Sequence, residues 1–149
     1  MCHFVTAVVP VKSDLARLSA LMGEHQLAAR PVENRLLAAQ LRPGERLLLT
    51  AAAGGCDCGT ELGRALRRVR RRARSQDRGD ETGRWIACLA AVLASGAATR
   101  FGILLHDYRG ATDDEPIALA RRQPVPLAEL TRDLLSRLEE DVLYEVRPN

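Results

Sequence analysis

Cys2-His3-Phe4-Val5-Thr6-Ala7-Val8-Val9 is apolar on both alternations, the pattern of a strand covered on both faces of its sheet. Such a strand needs further strands beside it and covering elements above and below. Downstream, Ser13 is placed to cap a helix whose inner stripe is Leu15, Leu18 and Met22, ending near Gly23. A short strand is expected over Leu27 to Glu33, a turn at Arg42-Pro43-Gly44-Glu45, and a buried strand at Leu47-Leu48-Leu49-Thr50. Glu61 to Arg74 repeats Leu62, Leu66, Val69 and Ala73 at helical spacing, and Gly83 to Ser95 reads as a buried helix. Arg100 to Tyr108 predicts a strand and Arg109 to Glu115 an acidic loop. Pro124-Val125-Pro126 then introduces a helix with Leu127, Leu130, Leu134 and Leu138 on one side, before Val142, Tyr144 and Val146 alternate as a closing strand. Strands and helices intermingle throughout, which predicts an α/β (or α+β) single domain over residues 1–149, with a mixed sheet of four to five strands and helices packed on it.

Composition narrows the function classes. A chain of 149 residues buries roughly two thirds of its unfolded surface. Only 3% of residues are aromatic, so the core is built from Leu, Ala and Val, and base stacking on aromatics is disfavoured. Lys12 is the one lysine beside abundant arginine, a bias expected of a GC-rich bacterial genome. The net charge of +3 defines no nucleic-acid binder without a concentrated patch. The first strand has no basic flank and meets Pro10 early, which reads against a secretory signal, and the longest apolar stretch, Trp85 to Ala94, is too short for a membrane span. Four cysteines are too few for a disulfide scaffold and are expected reduced, in a bacterial cytoplasm.

Chemistry concentrates in Gly54-Gly55-Cys56-Asp57-Cys58-Gly59-Thr60, between a strand-like and a helix-like segment, where backbone N–H groups favour anions and therefore thiolates. If the first strand and the strand at Leu47 to Thr50 run antiparallel, the start of one meets the end of the other. Cys2 then lies near Cys56 and Cys58, and His106, near the end of its own strand, is placed to join them. Three thiolates and an imidazole are a common tetrahedral zinc set. One residue between Cys56 and Cys58 is a tighter chelate than zinc usually uses, so buried thiols in a tight turn stand as the plainer reading. Cys88, on the apolar helix, is read as core.

Two nucleophile readings compete. Cys58 and Arg64 have the cysteine-x5-arginine spacing of cysteine phosphatases, with Gly63 before the arginine; against it, Glu61 directs negative charge into the loop and no histidine precedes Cys58. Cys2 with a free amine would act as an N-terminal nucleophile, as in amidotransferases, whose folds need a longer chain. Gly54 to Thr60 also approaches a nucleotide P-loop but lacks the lysine. Outside the loop, Arg64, Arg67, Arg68, Arg70, Arg71, Arg72 and Arg74 form a basic helix face. For Arg64, Arg67, Arg68, Arg71 and Arg72 a solvated face ranks first, an acidic partner protein next and nucleic acid last. His3 and His25 have no company in sequence, and His106-Asp107 on one strand point to opposite faces.

Met1-Cys2-His3-Phe4 together with Cys56-Asp57-Cys58-Gly59-Thr60 and Leu62-Gly63 resembles small uncharacterised bacterial proteins that share both segments. The resemblance implies no activity; it implies that Cys2 and the later pair belong to one unit. With no paired carboxylates, triad or complete phosphate loop, the expected function is a small cytoplasmic protein-binding domain of the kind that includes toxin-neutralising immunity proteins. Its cysteine loop would be structural or zinc-binding, and its partner another protein with an acidic surface. A cysteine-dependent hydrolase or phosphatase using Cys58 or Cys2 is the alternative, and a nucleic-acid binder through the arginine helix the third.

Overall fold

A computed structural model describes residues 2–50, 56–63 and 80–149. Its strands are β1 (Cys2–Pro10), β2 (Arg30–Pro31), β3 (Glu45–Leu49), β4 (Phe101–Tyr108), β5 (Arg121–Pro126) and β6 (Val142–Arg147). Among them run helices α1 (Leu15–Glu24), α2 (Arg35–Ala38), α3 (Glu81–Ser95) and α4 (Arg132–Leu135). The strands form one sheet of order β2-β3-β1-β4-β6-β5, antiparallel except for the parallel β5–β6 pair. The mixed α/β class holds, with six strands rather than four to five.

Alternation sorts the side chains onto two faces. Val5, Ala7 and Val9 of β1 join Ile103, Leu105 and Tyr144 under α1 and α3, which contribute Leu18, Met22, Trp85, Leu89 and Val92. The opposite face, with Val8, Leu47, Leu104, Tyr108 and Leu143, is covered more thinly by Leu37 of α2 and Ile117 of the 109–120 connection. β1 is therefore buried on both faces, as its unbroken apolar run requires. At Gly102, deep in β4, an added Cβ would stand 2.8 Å from the Leu143 Cδ1 methyl and 3.0 Å from Val8 Cβ, so any side chain there would have to displace Leu143 and crowd Val8.

The structure revises several boundaries. The cap of α1 is Asp14, whose Oδ1 accepts the Arg17 N–H at 3.0 Å, while Ser13 closes the preceding turn through its own N–H to Pro10. The strand expected over Leu27 to Glu33 shrinks to two residues, and α2, capped by Asn34, follows where the sequence showed no element. Pro124 and Pro126 belong to β5 rather than to a helix start: a proline has no N–H for a ladder, and β5 is the sheet edge. Of the leucines behind them, Leu127 lies in a one-turn 3-10 helix (Leu127–Glu129) and Leu134 in the short α4, while Leu130 and Leu138 fall outside both. The basic helix expected over Glu61 to Arg74 lies, from Arg64 onward, outside the described residues; Glu61 to Gly63 form a turn with Leu62 fully buried.

One end of the thinner face is closed by charge. Glu45, with a side chain only 1% exposed, accepts from Arg122 at 2.9 Å, Arg100 at 3.0 Å and the Arg42 N–H at 2.9 Å. Glu145 binds Arg122 and Arg147 at 2.8 Å and Arg42 at 3.1 Å. Burial pulls the Glu45 carboxyl upward, but the hydrogen bonds from Arg122, the Arg42 N–H and Arg100 outweigh it and hold the group below its ordinary 4.5. A depressed carboxyl stabilises the fold above its unfolded value and loses that contribution as pH falls through the folded one. Glu45→Gln is therefore expected to cost about 3 kcal/mol at neutral pH. In thermal melts its deficit against wild type should shrink steadily as pH drops below 4.5; a deficit independent of pH would remove the charge from this account.

Candidate metal centre

β1 outruns its neighbour. The β1–β3 register spans Thr6↔Leu49 to Pro10↔Glu45, whereas β1–β4 continues to Cys2↔Tyr108. Among the described residues, Cys2 to Val5 of this inner strand have no strand on that side, and their backbone groups take other partners. Thr50 supplies the first, donating its N–H at 3.3 Å and its hydroxyl at 2.8 Å to the Val5 carbonyl. A one-turn 3-10 helix, Asp57–Gly59, supplies the others: Asp57 Oδ2 accepts the Val5 N–H at 2.8 Å and Cys58 Sγ accepts the His3 N–H at 3.2 Å.

This docking brings the thiols together. Cys2, Cys56 and Cys58 have their Sγ atoms within 4.8 Å of one another, Cys2 and Cys56 exposed and Cys58 half-buried, and none is in a disulfide. Antiparallel β1 and β3 join these residues as the sequence geometry predicts. A zinc ion with Zn–S bonds of about 2.3 Å sets its sulfurs about 3.8 Å apart, so a small contraction of this group would close around it. Electrostatics separates Cys56 from Cys58. Hydrogen bonds from the Cys58 side chain and backbone lower the Cys56 thiol below its ordinary value, whereas burial raises that of Cys58 despite the His3 N–H. The thiolate is thus favoured at Cys56, while burial disfavours it at Cys58, the thiol of the alternative phosphatase-like reading.

The turn is held from below and behind. Asp57 is 7% exposed, and burial pushes its carboxyl up to about 6 against the pull of the Val5 N–H, with the Glu81 charge adding to the rise. Thr60 returns its N–H and hydroxyl to the Asp57 carbonyl at 3.0 and 2.8 Å, and the same hydroxyl oxygen accepts the Gly63 N–H at 3.0 Å. Gly63 must be glycine, since a Cβ there would stand 1.8 Å from the Asp57 oxygen. Glu81 at the start of α3 accepts the Glu61 N–H at 2.7 Å, and Glu61 in turn accepts the Thr82 N–H at 3.2 Å. Leu62 is inserted into the core beside them.

His106 does not join the thiols. Its register partner on β1 is Phe4, while Tyr108 stands opposite Cys2, and the imidazole packs edge-on against Tyr108 at 4.8 Å. Its Nδ1 turns to Asp141 Oδ1 at 2.6 Å. His3 is held by the Gly63 carbonyl at 2.5 Å and faces Asp107 at 3.5 Å, so His106 and Asp107 do serve opposite faces. Cys88 is buried in α3, its thiol pushed up to about 12 by that burial. Arg64, Arg67, Arg68, Arg71 and Arg72, named for the phosphatase and partner-binding readings, lie outside the described residues. Sequence reading passed over Asp57, Gly63, Glu61 and Glu81 as supports of the loop. The legible signal was at Asp57, a single carboxylate set between two cysteines.

Comparison of the chain with protein-family models, with curated proteins and with solved structures finds no match. The centre therefore stands on its own geometry. Asp57→Ala, which leaves the buried Val5 N–H without an acceptor, should cost about 1–3 kcal/mol in denaturant unfolding. Asp57→Asn keeps an acceptor oxygen and should cost less; equal losses for both would show that the hydrogen bond to Val5 is not what anchors the loop.

Proposed function

We propose that the chain is a zinc-binding protein in which Cys2, Cys56 and Cys58 hold one ion as thiolates. The observation that carries the reading is the convergence of three sulfurs from opposite ends of the sequence distance Cys2 to Cys58 onto one strand end. The His3 N–H donated to Cys58 Sγ supports it, because such a bond steadies a sulfur that carries negative charge. Thiolate donors select zinc and softer ions over magnesium or calcium. Bound there, the ion ties the loop to β1 and neutralises charge next to Asp57 and Glu81. Its role is to fix the loop on the sheet, the metal-stabilised element of a domain that acts by binding.

Protein purified without chelator should carry close to one equivalent of zinc, and Cys56→Ser with Cys58→Ser should lose it. Because structural metal binding contributes to folding free energy, a loss of about 3 kcal/mol would lower Tm by roughly 6–12 °C for a chain of this size. Cys2→Ser should weaken binding too, since it removes one of three donors. Metal-free wild type with an unchanged melting temperature would overturn the reading.

A further inference from the structure

A second cluster lies on the thinner face, around the histidine that the thiols left out. His106 Nδ1 is 2.6 Å from Asp141 Oδ1 and 3.6 Å from Glu140 Oε1. One ligand atom each from His106, Glu140 and Asp141 falls within 4.8 Å of the others. The imidazole is buried, 7% exposed, and its Nε2 has no hydrogen-bond partner; Glu115 Oε1 faces it from 3.8 Å, beyond hydrogen-bond reach. Asp141 is a quarter exposed and Glu140 nearly half, so the cluster opens to solvent on the side of the two carboxylates.

The unpartnered Nε2 is the informative atom. In a neutral imidazole whose Nδ1–H donates to Asp141, Nε2 presents a buried lone pair towards the Glu115 carboxylate, an arrangement without a donor and therefore costly. If Nδ1 instead turns its lone pair to a cation held with Asp141 and Glu140, the proton sits on Nε2 and is directed at Glu115. An imidazole bound to metal through one nitrogen and backed by a carboxylate at the other is the recurrent way such ligands are oriented. We propose that His106, Glu140 and Asp141 form a second metal site for a divalent cation of the manganese, iron or zinc class, with Glu115 as the carboxylate behind the imidazole. One nitrogen and two carboxylates suit these ions, and the set is chemically distinct from the three thiols.

The fold positions the donors from separate elements. His106 comes from β4, and Glu140 and Asp141 from the residues entering β6, where Glu140 bridges to Leu105 and the Asp141 N–H donates to the Leu105 carbonyl at 3.0 Å. Glu140 Oε1 also accepts the Asp107 N–H at 3.2 Å, which sets one carboxylate oxygen in place. Glu115 arrives on the 109–120 connection, where it accepts the Gly110 N–H at 2.8 Å.

Mn²⁺ tests the proposal, because it favours oxygen and imidazole donors over thiolates. Titrated into the full chain stripped of bound metal, its fold confirmed by circular dichroism, with free Mn²⁺ read by its electron paramagnetic resonance, it should fill one saturable site. Glu115→Gln should weaken that site by about 10–100-fold, and Asp141→Asn or Glu140→Gln by at least as much. Asn tolerates the left-handed backbone at position 141, φ 59°, and Glu140 is exposed, so both variants should fold, as circular dichroism would verify. No saturable binding up to about a millimolar would overturn the proposal; binding that survives both Asp141→Asn and Glu140→Gln would place the Mn²⁺ elsewhere.

Discussion

The unpaired end of β1 is the constraint from which the candidate centre follows. An inner strand whose described pairing runs four residues further on one side than on the other turns the N–H groups of His3 and Val5 away from any ladder among the described residues. Buried donors of this kind cost about 1–3 kcal/mol each if unmet. The chain meets them with a carboxylate and a sulfur, Asp57 and Cys58, rather than with another strand. The 56–63 segment stapled in this way cannot slide along the strand, since a slip of one residue would present C=O groups or side chains where the acceptors now stand. The fixed register is what sets Cys56 and Cys58 against Cys2.

The same docking concentrates negative charge. Asp57 is forced into the interior below the thiols, and its carboxyl is already raised by burial and by Glu81. Cys56 is the thiol that hydrogen bonding favours as thiolate. Anionic groups accumulate here without an arginine among the described contacts, whereas Glu45 and Glu145 at the opposite end are each matched by arginines. Asp57 is met by the Val5 N–H rather than by an arginine.

How much of this was legible depended on whether the signal was local. β1, β4 and β6 were readable because their apolar alternation or continuity is written in adjacent residues, and the convergence of Cys2 with Cys56 and Cys58 followed from antiparallel strands alone. The prolines of β5 misled, because Pro124 and Pro126 read as a helix entry until the strand is known to be an edge, a fact that only the assembled sheet contains. α2 is four residues long, too short for periodicity to register. His106 was assigned by proximity to a strand end, but which of several acidic groups captures an imidazole depends on a register two residues finer than that reasoning. Glu140 and Asp141 gave no signal, being two acids in a charged stretch.

His106 and Cys2 project with the same strand parity, and His106 nevertheless belongs to another set of donors. Between them stands Tyr108, opposite Cys2, stacking edge-on with Phe4 at 5.3 Å and with His106 at 4.8 Å. Its hydroxyl meets Thr6 Oγ1 at 3.3 Å, and burial raises its pKa, so it stays a neutral spacer. This ring separates sulfur donors at the rim from nitrogen and carboxylate donors on the face. Soft and hard ligand sets that shared one pocket would compete for the same ion; kept apart by an aromatic wall, each retains the preference of its own atoms. In the two proposed metal readings, substituting Tyr108 therefore bears on both clusters through one side chain that belongs to neither donor set.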